Sequence, residues 1–369
     1  MQYPGGGPRG ATSLEPGTLL GGSYRLSARI GRGAMSEVWR AEHVSLGAPC
    51  AVKVMDVSQG PDIAERLRRF HQEARAVAQL RSPHVVQVLD DGIDGAYAYL
   101  VMDLLEGETL EERLSRRGRL SAAETAHLVT GIAQGLACAH GAGLLHRDLK
   151  PANVFLARER RASGDDEIVK LLDFGIAKWT DLPAEAQVQT HDGKVVGTPS
   201  YMSPEQVRGT KLDRRSDLWQ VGVIAWECVT GKRPFDGPSV GDTFVRICSV
   251  PAPPASSLAQ VPEAFDAWLA RCLERDLSRR FGSAEEMEAA LAEVFSPRAV
   301  GLVDRLSSAS VWPASRRGRR RGSRRRNALI AIGVAVFVVT TAIGLTLFRG
   351  GSQAPGAAPA KAESAGDKR

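Results

Sequence analysis

The hydrophobic period of this chain changes once, near Glu106, and that change limits the folds open to it. Before it, short runs with the look of strands recur: residues 24–30, 37–41, 50–55, 85–89 and 96–102 read as five of them. One helix interrupts them, with Ile63, Leu67, Phe70, Ala74, Val77 and Leu80 at helical spacing. After Glu106 the helical period takes over. Ser121 and Glu124 form a capping box, Gly141 and Gly143 end that helix, and Ser283 with Glu286 caps a last one that stops near Phe295. The stretch from Asp217 to Thr230 is apolar on nearly every face, which predicts a helix buried on all sides. The pattern is α+β, a small β-rich lobe followed by a larger helical one.

At 369 residues, with 43% hydrophobic and 24% charged side chains, the chain can bury a sizeable core. Its net charge of +6 is unevenly placed. Eight arginines lie between Arg316 and Arg326, and residues 349–369 carry +2, which leaves −4 on residues 1–315. A mildly acidic body argues against nucleic acid as a partner. The five cysteines, Cys50, Cys138, Cys228, Cys248 and Cys272, form no C-x-x-C pair, and their odd number fits buried thiols in a reducing compartment.

Residues 1–22 are rich in glycine and proline and read as a disordered lead without the apolar core of a signal peptide. Residues 328–348 are 21 in a row without a charge. At ~1.5 Å per residue they cross a bilayer core of ~30 Å, which predicts one transmembrane helix; a buried globular helix is the plainer alternative. Residues 296–327 then form a basic juxtamembrane linker, and residues 349–369 a short extracytoplasmic tail with too few apolar side chains to fold alone. Arginines beside a membrane span stay cytoplasmic and attract anionic lipid. That expectation puts the body inside a single-pass cell (inner) membrane anchor and the C-terminus outside; a nucleic-acid or nuclear-import tract is the rival reading of the arginines.

Polar residues concentrate in a few places. The turn Gly31-Arg-Gly33-Ala-Met-Ser36 lets the main chain come close to a polyphosphate, although a plain hairpin turn has the same composition. Lys53 interrupts an apolar strand, and Glu73 lies on the helix beside Phe70 and Ala74. An ion pair between them would remove the cost of burying either alone and would hold the lysine against phosphate oxygens. His146-Arg-Asp148-Leu-Lys150-Pro-Ala-Asn153 is followed, after an apolar run, by Asp173-Phe-Gly175. These types suit phosphoryl transfer from ATP: Asp148 can accept the proton of an attacking hydroxyl and Lys150 can neutralise the transferring group. Asn153 and Asp173 offer the hard oxygens that magnesium, or manganese in its place, prefers.

Together these residues resemble the Hanks-type (eukaryotic-like) serine/threonine protein kinases over roughly residues 24–295, and the whole order is similar to bacterial transmembrane serine/threonine kinases. The resemblance implies a two-lobed kinase fold over residues 23–295, with a C-terminal transmembrane helix added. It implies ATP under a loop of Ile30, Gly31, Arg32, Gly33, Ala34, Met35, Ser36 and Val38, where Ser36 departs from the family's third glycine. It places a gatekeeper at Met102, a hinge at Asp103–Leu105, and the adenine between Val38, Ala51 and Phe155. Ser203-Pro-Glu205 stands for A-P-E, which implies a Glu205–Arg280 pair, and Asp217 is expected to anchor the catalytic loop. Lys150 and Gly197-Thr198-Pro-Ser-Tyr201 match the serine/threonine branch, with Thr198 bonding the catalytic Asp and Lys. Arg147 before Asp148 implies control by phosphate in the activation segment, with Thr190 the first candidate and Thr180 the second; unmodified loop threonines are the alternative.

The expected function is transfer of the ATP γ-phosphoryl group to Ser/Thr of proteins, this chain included, in membrane signalling. A homodimer and anionic lipid at the arginine tract are the further partners in view. A membrane-tethered pseudokinase scaffold is the alternative from another class, and a lipid-bound adaptor acting through the arginines is a third. The presence of Lys53, Asp148 and Asp173 speaks against the scaffold.

Overall fold

Alternation along the first strands builds a sheet with two apolar faces. In the computed structural model, the described residues are 14–33, 36–58, 63–161, 164–174, 190–191, 194–195 and 199–295. The sheet order is β1-β2-β3-β4-β6-β5, all antiparallel, from β1 (Leu19–Leu20), β2 (Tyr24–Arg32), β3 (Ser36–His43), β4 (Ala48–Asp56), β5 (Val88–Asp94) and β6 (Tyr97–Met102). Ala51, Met55, Ala98, Leu100 and Met102 pack on one face with Phe70, Ala74 and Val77 of helix α1 (Ile63–Ala78). Leu26, Trp39, Val52, Val54, Tyr99 and Val101 form a separate cluster on the other. Successive residues going to opposite clusters is what a strand's period of two requires.

Two expectations shift here. The lead expected to be disordered through residue 22 instead supplies β1, because Leu20 is buried in the outer cluster. The strand expected at 85–89 lies at Val88–Asp94. Val85 and Val86 are buried, but they pair with Leu171 of the other lobe: Val85 through an isolated bridge and Val86 by donating its N–H to the Leu171 carbonyl at 3.0 Å. The polar run Asp90-Asp91-Gly92 can be a strand because it forms the sheet edge, where one side needs no apolar cover.

The second lobe begins with β7 (Gly107–Thr109), α2 (Leu110–Arg117) and α3 (Ala122–Gly141), the last carrying the expected Ser121–Glu124 capping box. A three-stranded sheet follows, β7-β8-β9, with β8 (Val154–Arg161) and β9 (Gly164–Leu171). Arg158 of β8 stands opposite Glu167 of β9 in register, and opposite charges there favour the pairing. β10 (Thr190–His191) pairs with β11 (Lys194–Val195).

Helices complete the lobe: α4 (Pro204–Val207), α5 (Arg214–Thr230), α6 (Val240–Ser249), α7 (Glu263–Cys272) and α8 (Ala284–Val294). α5 is the helix expected to be buried on all sides; Leu218, Trp219, Val221, Val223 and Ile224 are wholly enclosed. All five cysteines are free thiols; Cys50, Cys228 and Cys272 are buried, whereas Cys138 and Cys248 are half-buried. Among the described residues no helix is long and apolar enough to cross a membrane. The span expected at 328–348, its linker and its tail lie outside the described residues, as do Ala34, Met35, Gly175, Thr180 and Thr198.

Candidate active site

The loop from His146 to Asn153 is shaped from below by α5. Asp217 sits in the first turn of that helix with no exposed surface. Its carboxylate accepts three hydrogen bonds: from His146 N at 2.9 Å, Arg147 N at 2.8 Å and His140 Nε2 at 2.8 Å. Those bonds hold Arg147 at φ 63°, in the left-handed region that a non-glycine residue rarely occupies. His146 is buried, donates from Nε2 to the Leu172 carbonyl at 2.9 Å, and packs 4.8 Å from the Phe174 ring. Burial lowers its pKa, so the ring is held neutral.

Two glutamines finish the support, and neither was expected. Gln206 donates to the Arg147 carbonyl at 2.7 Å, while Gln220 accepts from Leu149 N at 3.0 Å and donates to Gln206 Oε1 at 3.1 Å. Both left a trace in the sequence. Ser203-Pro-Glu-Gln206 is a capping box, present here in both directions, and Gln220 is a polar residue three positions after Asp217 on an otherwise apolar helix.

Above this base the candidate chemical groups converge. Lys150 Nζ lies 3.0 Å from Asp148 Oδ2. Asn153 donates from Nδ2 to the Asp148 main-chain carbonyl at 2.8 Å, so its amide oxygen remains as an acceptor. Asp173, also left-handed at φ 54°, pairs through Oδ1 with Lys53 Nζ at 2.9 Å.

That pair corrects the expected Lys53–Glu73 contact. Lys53 is only 6% exposed, on the same strand face as Ala51 and Met55, so its ammonium needs a carboxylate close by. Asp173 meets that need. Glu73 is half-buried on α1; burial raises its pKa, and the charges of Arg147 and Arg69 act against that rise.

Most of the described residues expected around a nucleotide lie on β2, β3, β4 and β6 or just after them, and Phe155 lies on β8. Ala51 stands opposite Met102 in register and Val38 opposite Lys53. Val38, Ala51, Met102 and Leu105 belong to one apolar cluster. Asp103 N donates to the Gln87 carbonyl at 3.1 Å, and Phe155 is half-buried on β8 opposite Thr109. Ile30 is 54% exposed, in a bulge of the β2–β3 pairing beside Gly31, where Arg32 stands opposite Glu37. Gly33 N donates to the Ser36 carbonyl at 2.7 Å and closes the turn.

The expected Glu205–Arg280 pair is present and buried, with Arg280 Nη1 at 2.9 Å and Nη2 at 3.3 Å from the two carboxylate oxygens. Ser216 Oγ donates to the same carboxylate at 2.7 Å. Burial alone would raise the Glu205 pKa, but the bonds from Arg280 and Ser216 outweigh it and leave it below the usual value.

The protein kinase domain family model matches residues 24–293. The serine/threonine-protein kinase pkn3 of Myxococcus xanthus is 38% identical over 287 residues, covering 76% of this chain and 52% of that protein. The serine/threonine-protein kinase PknL of Mycobacterium tuberculosis is 39% identical over 277 residues, covering 75% of this chain and 66% of that protein. The PknI kinase domain crystal structure from the same organism aligns at TM-score 0.59 and 29% identity, over 76% of this chain and 99% of that domain. The chain spans 34% to 66% of the length of the leading curated relatives it matches. On that match the chain belongs to the protein kinase family, within the Hanks-type group that includes bacterial serine/threonine kinases.

Proposed function

We propose that this chain transfers the γ-phosphoryl group of ATP to serine and threonine hydroxyls of proteins, itself included. The observation that carries this is the convergence on Asp148: Lys150 at its carboxylate and Asn153 at its carbonyl, with the Lys53–Asp173 pair joining β4 to the segment just after β9. Asp148 would orient the attacking hydroxyl and take its proton, and Lys150 would offset charge on the moving group. Lys53 would hold phosphate oxygens, and the main chain of Gly31 and Gly33 would approach them closely.

A divalent cation fits the donors present. The Asn153 amide oxygen accepts no hydrogen bond from the described residues, and the Asp173 carboxylate is a second hard oxygen ligand. Asn153 and Asp173 would hold magnesium, which supplies screening of phosphate charge.

The charge asymmetry about residues 328–348 supports a single-pass anchor with the kinase lobes in the cytoplasm and the arginines of 316–326 against anionic lipid. The test is incubation of the purified chain with γ-labelled ATP, magnesium and a generic basic protein. Label on serine or threonine supports the reading. Nucleotide binding without transfer would replace it with the pseudokinase scaffold.

A further inference from the structure

The β2–β3 hairpin carries a polar cluster on the face turned away from Val38. Trp39 is 3% exposed and packs in the outer apolar cluster, and strand alternation puts Glu37 on its side. The Trp39 indole N–H donates to Glu37 Oε2 at 3.2 Å. From the neighbouring strand, Arg29 Nη1 donates to Glu37 Oε1 at 3.0 Å, and Arg32 Nε lies 3.9 Å from that oxygen. One carboxylate therefore ties β2 to a buried ring on β3.

The tie spans the place where the pairing is irregular. Arg29 is opposite Trp39 and Gly31 opposite Val38, so Ile30 is an extra residue between them. A bulge of this kind re-aims the strand that follows it, and glycines have no side chains to fix the new direction. The segment that follows carries Gly31 and, one residue past the end of β2, Gly33.

We infer that Glu37 is a positioning residue for the nucleotide: by joining Arg29 to Trp39 it sets the course of β2 through the bulge, and so the placement of the Gly31 and Gly33 main chain against phosphate. The inference rests on the proposed kinase reading, in which that main chain meets ATP. Glu37 itself touches no substrate atom.

The test uses the full chain and compares ATP affinity, KM for ATP, KM for a peptide substrate, and kcat. In Glu37→Ala, KM and Kd for ATP rise about tenfold while kcat and the peptide KM stay within about twofold, since only the nucleotide's placement changes. Glu37→Gln keeps an acceptor for the indole and loses the charge facing Arg29, so it falls between Glu37→Ala and wild type. It also serves if the alanine variant folds poorly. Arg29→Ala resembles Glu37→Gln, and Arg29→Ala added to Glu37→Ala makes nothing worse, because both remove one shared contact. ATP affinity unchanged in the folded variants overturns the inference and leaves the kinase reading standing. So does a parallel rise in KM for ATP and for peptide, which marks general loosening. A wild-type chain that binds no ATP overturns the kinase reading itself.

Discussion

Lys53 is bonded to Asp173 at 2.9 Å, and Glu73, twenty residues on along the chain, stands instead in the field of Arg147 and Arg69. One carboxylate thus serves the buried ammonium, and that carboxylate, Asp173, is also the candidate magnesium ligand. If Asp173 turns to the metal, Lys53 needs Glu73. Glu73→Gln is therefore expected to lower kcat/KM about a hundredfold by misplacing Lys53, with the thermal midpoint little changed. Wild-type turnover in Glu73→Gln would show that Lys53 and Asp173 stay paired throughout.

The convergence on Asp148 gives the sharpest chemical test. Asp148→Asn and Lys53→Met should each lose about 10²–10⁴-fold in phosphoryl transfer, the usual loss for a positioned acid–base group, without loss of fold. Asp173→Ala should in addition remove most of the magnesium dependence of nucleotide binding. Titration of nucleotide with and without magnesium, beside a steady-state assay, reads both effects. Near-normal turnover by Asp148→Asn would remove the base assignment.

Buried charge makes Glu205–Arg280 a structural test. Arg280→Ala leaves an unpaired carboxylate in the lobe and should cost about 3–5 kcal/mol in denaturant unfolding. The pH dependence carries a sign. In the wild type the Glu205 pKa is held below its unfolded value, so its contribution is full above that value and is lost as pH falls toward the folded one. His146, lowered by burial, acts in the same direction below about pH 6.5. In Arg280→Ala, burial is left to dominate Glu205 and raises its pKa, so acidification restores part of the lost stability. Equal acid sensitivity in the two proteins would contradict this.

Asp217, Glu205 and Arg280 were legible only through the resemblance to the kinase family, which Ser203-Pro-Glu205 carries, because they join residues too far apart along the chain for local spacing to relate. Ser121 with Glu124 was legible because a capping box is local. The partner of Lys53 was not, since two carboxylates satisfy the same rule and only the bend of the chain at Asp173 decides between them. The strand at Val88–Asp94 was missed for a related reason: two aspartates and a glycine look like a turn, and only the sheet order shows that they lie on an edge. The support from Gln206 and Gln220 joins residues about sixty to seventy apart from the loop they hold, a relation that helical spacing alone does not reveal.

Arg147 motivates a regulatory prediction. It is exposed, with its main chain fixed by Asp217 and Gln206, so its side chain is available to a phosphate. Autophosphorylation is expected within residues 180–198, at Thr190 first and Thr180 second, and Thr190→Ala should lower activity. Mass mapping after incubation with ATP locates the sites. Full activity with both threonines changed to alanine would reject the scheme.

The arrangement of charge about residues 328–348 yields the last prediction. Eight arginines precede that run within about a dozen positions, whereas Arg349 is the sole basic residue in the ten that follow it. Moving eight guanidinium groups through hydrocarbon is far costlier than moving a segment of net +2. The arginines should therefore remain on the cytoplasmic side with the kinase lobes, where ATP is supplied. A reporter fused after Arg369 should be active only outside, and one fused before Met1 only inside. Salt separates the two attachments this chain could use: it screens the attraction between arginines and anionic lipid within about 10 Å at 0.1 M, but leaves apolar insertion intact. The full chain should stay in membranes through a high-salt wash and leave them only with detergent. Release by salt alone would make the arginine tract the anchor and end the transmembrane assignment, while the kinase assignment, which rests on the lobes, would stand.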